Sequence, residues 1–206
     1  MADIEFITDA SDEAIAAWLQ QRLEAALMQR DGPVAVCLPG GSTPGPILKL
    51  LAEAPLDWQR ITLWPGDDRV VPADHPASNG GQLRSLLGAT GAQVVALDRM
   101  EAVPHFALTL LGMGADGHIA SLFPNTDPDP RDPQAIRRLT PDPLPPEAPF
   151  DRITLTIPAL LESEALAFVI HGAEKRRVFE AAMAGESDLP VARLLRTATQ
   201  KVTCFA

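Results

Sequence analysis

Short, nearly unbroken apolar runs recur along this chain, with helix-length segments between several of them. VAVCL (34–38), ITLW (61–64), FALTLLG (106–112) and ALAFVI (165–170) carry almost no polar residues. Strands of that kind are buried on both faces, as in a parallel sheet covered by helices. Ile15, Trp18, Leu19, Ala26 and Leu27 recur at helical spacing behind Ser11, a good N-cap, with Asp12 and Glu13 in the first turn. Residues 12–30 therefore read as an amphipathic helix, ended by Gly32 and Pro33. Further helices are expected over about 44–53, 78–87 and 173–184, and further strands at 4–7, 94–97, 153–156 and 201–205. Nine of the 20 prolines fall in 124–149. That density excludes a helix or a central strand, so the segment reads as a long ordered excursion over the ligand-bearing face. Residues 1–206 are expected to form a single doubly wound α/β domain, with a mostly parallel sheet and helices on both faces.

Composition narrows the function classes. With 46% apolar and 21% charged residues the chain can build a core. Its net charge of −10 argues against a general nucleic-acid binder, which needs a basic face. A few local cations and backbone N–H groups can still hold a small anion. Cys37 and Cys204 make neither a disulfide framework nor a zinc site. MADIEFITDA has no basic region and no long apolar stretch, so no leader and no membrane span are expected, and the expected compartment is the cytoplasm.

In such folds ligands sit beyond the carboxyl ends of the strands, and four polar motifs follow strands here. LPGGSTPG (38–45) follows VAVCL. Gly40 and Gly41 admit a close ligand, Ser42 and Thr43 offer hydroxyls and a helix cap, and the helix start offers N–H groups to an anion. The other reading is an ordinary capped turn. In PGDDRVVP (65–72), Arg69 can clamp a phosphate and Asp67 or Asp68 can bind sugar hydroxyls, or the three form a solvated ion-pair loop. LGMGADGHIASLFP (111–124) surrounds Asp116 and His118 with three glycines, and a helix is expected to begin near Gly117. A histidine there can take a proton from water, and the Gly-rich turn can stabilise an oxyanion; the other reading is a structural histidine. HGAEKRRVFEAA (171–182) carries Lys175, one of three lysines, about one turn into a helix, where a solvated face is the alternative. His75, His105 and His171 show no metal-ligand spacing, and no G-x-S-x-G elbow is present, so neither a metal nor a serine nucleophile is expected.

Taken together, GGSTP (40–44), DDR (67–69), SN (78–79), GMGADGHIASLFP (112–124), RITLTIPAL (152–160) and GAEK (172–175) resemble the 6-phosphogluconolactonase family, within the glucosamine-6-phosphate isomerase/lactonase group. ASLFP (120–124) points to the lactonases rather than to the sister deaminases. The resemblance implies a metal-independent hydrolysis of 6-phosphoglucono-δ-lactone without a cofactor, in the oxidative pentose phosphate pathway. It implies that His118 is the general base, with Asp116 its acidic partner. Gly41, Ser42 and Thr43, next to Gly40, match the phosphate-side loop, Arg69 and Lys175 match positive groups near the phosphate, and Asp67 matches the first acid of the family's Asp-Glu-Arg. Departures are Pro39 before the Gly-Gly-Ser, Asp68 in place of Glu, and a shortened 80–105 stretch. The expected partner is a small phosphosugar lactone, not a nucleic acid or a membrane. Two other classes share the fold. An isomerase/deaminase would use Asp67 to move a proton between C1 and C2, and ASLFP argues against it. A non-catalytic sugar-phosphate sensor would be expected to lack the histidine.

Overall fold

The computed structural model describes residues 3–98, 102–146 and 148–206. Its main sheet contains β1 (Ile4–Ile7), β2 (Val34–Leu38), β3 (Ile61–Pro65), β5 (Gln93–Val94), β6 (Leu108–Leu111), β9 (Leu166–Val169) and β10 (Val202–Phe205). The strand order is β1-β10-β9-β6-β2-β3-β5, and every neighbouring pair is parallel. The helices are α1 (Asp12–Gln29), α2 (Pro44–Leu51), α3 (Asn79–Leu87), α4 (Ile157–Leu161), α5 (Ala173–Met183) and α6 (Pro190–Thr197). Ser11 caps α1 by accepting from the Ala14 amide at 3.2 Å.

The alternation of side chains along each strand builds two cores. Val34, Val36, Leu38, Ile61, Leu63, Leu108 and Leu110 face one side. There they pack with Ile15, Leu19 and Leu23 of α1 and Ile47, Leu48 and Leu51 of α2. Cys37, Trp64, Leu111, Phe168 and Cys204 face the other side, against Phe179 of α5 and Val191, Leu194 and Leu195 of α6. Both cysteines are buried and free. Helices on both faces of a parallel sheet make the doubly wound arrangement. Consecutive strands run outward from β2 to β3 and β5, then return to the other side of β2 at β6. The β2–β6 junction is therefore the switch point, where crevices open at the carboxyl ends.

Several details depart from the sequence expectations. Residues 153–156 do not extend the main sheet. β8 (Arg152–Leu155) instead joins β4 (Asp67–Arg69) and β7 (Ile136–Leu139) in a small antiparallel sheet. β7 lies within the proline-rich segment, in a proline-free stretch at a sheet edge, where its missing partner costs least. The 94–97 strand shrinks to Gln93–Val94 at the edge of the main sheet. No helix begins near Gly117. The Gly114 amide donates to the His118 carbonyl at 2.9 Å and the Gly117 amide to the Gly114 carbonyl at 3.0 Å, which closes a tight turn instead. The short α4 and the amphipathic α6 are additional to the helices expected from sequence, and each opens with a proline in its first turn. No helix among the described residues is long and apolar enough to cross a membrane.

Candidate active site

The loops leaving β2, β3, β6 and β9 meet in a cleft of about 210 Å³. Gly40, Gly41, Ser42, Thr43, Asp67, Arg69, His118 and Lys175 all line it. Four segments far apart in the chain are thus brought to one place.

The β2–α2 loop forms one wall. A Cβ at Gly40 would stand 2.1 Å from Asn79 Oδ1, so only glycine lets the loop lie against α3. Gly41 has φ +98°, a conformation glycine adopts without strain. The N–H groups of this turn are not all free to meet an anion. The Gly41 amide donates to Gln82 Oε1 at 2.9 Å. Among the described residues no protein acceptor takes the Ser42 or Thr43 amide. Thr43 occupies the N-cap position of α2 but its hydroxyl makes no capping bond, so it too is left for the cleft.

The β3–β4 corner and the start of α3 form the second wall. Here the two adjacent aspartates separate. Asp68 does not face a ligand. Its carboxylate accepts from the Asn79 amide at 2.6 Å, the Gly80 amide at 3.0 Å and Ser78 Oγ at 3.1 Å, and so holds the N-terminus of α3. Asp67 is buried and lines the cleft. Its Oδ1 accepts from Asn79 Nδ2 at 3.0 Å and its Oδ2 from Ser121 Oγ. Burial pushes its carboxyl above the usual range, and the Ser121 hydrogen bond and the Arg69 charge only partly offset that. Arg69 donates from Nη1 to the Ala77 carbonyl and to Asn79 Oδ1, both at 2.9 Å. Its Nε is buried with no protein partner.

The third wall is the turn after β6. His118 Nδ1 lies 2.6 Å from Asp116 Oδ1, which also accepts from the His118 amide at 3.2 Å. That bond is the main reason the Asp116 carboxyl falls below its ordinary range. With Nδ1–H given to Asp116, the lone pair is at Nε2. Asp116 itself does not line the cleft; it stands behind the imidazole. Gly117, at φ +77°, would bring a Cβ to 2.8 Å from Leu189 Cδ1, and its carbonyl accepts from the Val191 amide at 3.1 Å. The turn is thereby moored to α6.

Lys175 reaches the cleft from the first turn of α5 and makes no ion pair among the described residues. The remaining histidines stand outside: His75 packs edge-on against Phe150, and His105 lies 3.4 Å from Glu162. No described group of three His, Cys, Asp or Glu side chains could hold a metal ion. Sequence reading gave Asn79, Gln82 and Ser121 no role, although each fixes a cleft residue. SN (78–79) and ASLFP (120–124) hold two of them, but nothing nearby tells that Asn79 sits between Asp67 and Arg69.

Residues 8–100 and 89–204 match the family described as glucosamine-6-phosphate isomerases/6-phosphogluconolactonase. The chain is 35% identical over 205 residues to a 6-phosphogluconolactonase of Pseudomonas aeruginosa, covering 88% of this chain and 85% of that protein. It is 33% identical to one from Helicobacter pylori, covering 86% and 85%. The crystal structure of a 6-phosphogluconolactonase from Shewanella baltica aligns with a TM-score of 0.82 at 26% identity, over 98% of this chain and 97% of that one. That of Thermotoga maritima aligns at 0.83 and 25%, over 100% and 99%.

Proposed function

This chain belongs to the glucosamine-6-phosphate isomerase/6-phosphogluconolactonase family, and from that we infer that it hydrolyses 6-phospho-D-glucono-1,5-lactone to 6-phospho-D-gluconate in the pentose phosphate pathway. The observation that carries the reading is one cleft holding both a carboxylate-bound histidine and a cationic, amide-rich wall. We take residues 1–206 to be one catalytic unit.

His118 is the general base. Its Nε2 takes a proton from a water that attacks C1 of the lactone. Asp116 holds the tautomer and stabilises the imidazolium that forms. The new C–O bond makes a tetrahedral oxyanion, whose donors must be amides of these turns other than those of Gly41, Gly114, Gly117 and His118, which already have acceptors. Collapse breaks the bond from C1 to the ring oxygen, and that oxygen leaves as the C5 hydroxyl with the proton that His118 returns. At the other wall, Ser42, Thr43, Arg69 and Lys175 receive the phosphate, with Gly40 and Gly41 giving it room. Asp67 faces the sugar hydroxyls. Anchoring the phosphate places C1 near His118 and removes orientational freedom from the barrier.

The test is His118→Asn, assayed with the spontaneous opening of the lactone subtracted. General-base catalysis contributes about 10²–10⁴-fold, so kcat should fall by that factor while the phosphorylated product still binds. A kcat near the wild-type value would remove His118 from the mechanism. Ammonia released from glucosamine 6-phosphate would instead favour the isomerase/deaminase chemistry.

A further inference from the structure

We infer that Phe123 is a positioning residue for this reaction, holding the His118 imidazole in the orientation that turns Nε2 into the cleft. The inference rests on the reading of His118 as the base. A single bond from Nδ1 to Asp116 anchors one atom and leaves the ring able to swing about it. The second constraint is a face. The Phe123 ring centroid lies 4.7 Å from that of His118, with the planes inclined by 37°. That is the range in which aromatic rings attract and pack against each other. Asp116 and Phe123 lie together in a second hollow beside the imidazole, whose far wall is Pro141, Pro143 and Pro145. Of these three side chains only His118 also lines the cleft.

Phe123 is itself held. Leu122 before it is buried and bridged to Ile119, and Pro124 after it opens a 3₁₀ turn. The Arg152 guanidinium carbon stands 6.0 Å from the phenyl centroid. Arg152 is buried, and its two terminal nitrogens donate to the carbonyls of Phe150 at 2.6 Å and Ala148 at 2.8 Å. In the small sheet Arg152 pairs directly with Arg69. One two-stranded ladder therefore carries a cleft cation on β4 and, on β8, the group that backs the aromatic stack. Phe123 is only partly buried, so its truncation leaves both cores intact.

An imidazole displaced by about 1 Å can cost on the order of 10²-fold in rate. Phe123→Ala should lower kcat by about 10–100-fold with KM changed less than about threefold, because the phosphate wall is untouched. Phe123→Tyr, which keeps the face, should retain most of kcat, and Phe123→Leu, which fills the space without a face, should resemble Phe123→Ala. A wild-type kcat in Phe123→Ala and Phe123→Leu overturns the inference, as does a rise in KM with kcat unchanged. So does an equal loss in Phe123→Tyr. His118→Asn measured alongside separates the two claims. If it is inactive while Phe123→Ala and Phe123→Leu are fully active, only the positioning role falls. If His118→Asn keeps its kcat, both fall.

Discussion

Gly114 has no room for a methyl group. A Cβ there would stand 2.2 Å from His118 Nδ1 and 2.4 Å from Asp116 Oδ1. Gly114→Ala must therefore push apart the pair that orients the base, and it should lower kcat by roughly 10²-fold while KM changes little. Steady-state kinetics with a circular-dichroism control checks this. Asp67 carries the clearest pH dependence. Burial raises its folded pKa above that of the unfolded chain, so the folded protein holds the proton more tightly. Stability contributed by the neutral form is present at low pH and is lost as pH rises from about 4 through the folded pKa. Asp67→Asn removes that loss. The Tm of the variant relative to wild type should increase between about pH 4 and pH 8, whereas its KM should rise through loss of a sugar contact. A Tm difference independent of pH would show that Asp67 titrates alike in both states.

Among the elements, α3 depends most on a single side chain. Asp68 accepts from the Asn79 and Gly80 amides and from Ser78 Oγ, which itself accepts from the Gly81 amide at 2.9 Å. Asp68→Ala leaves those N-terminal donors without their acceptor. It should destabilise the protein by about 1–2 kcal/mol in urea denaturation. Because α3 also carries Asn79, the side chain holding Arg69 and Asp67, KM should rise in the same variant. Ser78→Ala, which leaves the Asp68 carboxylate in place, should cost less and leave KM nearly unchanged. The place of α3 also shows how a neutral-looking dipeptide becomes structural. Ser-Asn reads as a helix start, but the side-chain amide of Asn79 ties that start to both Asp67 and Arg69 of β4.

On the scale of the whole molecule, a net charge of −10 opposes an anionic substrate, so binding depends on a local concentration of cations and free amides. That makes the cleft separable from the remainder by ligand linkage. At about one hundred times its Kd, 6-phosphogluconate should stabilise the folded chain by about 2.7 kcal/mol, a Tm rise of roughly 5–10 °C for a chain of this size. Arg69→Ala and Lys175→Ala should each lose most of that rise and raise KM more than they lower kcat. His118→Asn should keep it. Differential scanning fluorimetry with and without the product reads all three. A full Tm rise in both cation variants would remove them from the phosphate wall.

The layered architecture and the positions of the polar motifs were legible in the linear chain. Continuous apolar runs have one stable solution, burial on both faces of a parallel sheet, and α1 announces itself through its apolar stripe and its Ser11 cap. The Gly-rich turns and the His118 loop lie after strands, where a doubly wound sheet opens, so the candidate residues could be named before they were placed. What the order of residues does not encode is which strands become neighbours. Asp67–Arg69 and Arg152–Leu155 are separated by more than eighty residues and make the small antiparallel sheet only because the proline-rich excursion folds back between them. The roles of two adjacent aspartates diverge for the same reason. Strand alternation sends one side chain into the cleft and the other to the α3 terminus. His118 acquires both Asp116 and Phe123 from its own loop, two and five residues away, but the Arg152 guanidinium behind Phe123 arrives only through tertiary packing. Short-range order follows from hydrogen bonds and periodicity within a few residues, whereas the geometry of a cleft depends on long-range contacts that no local pattern specifies.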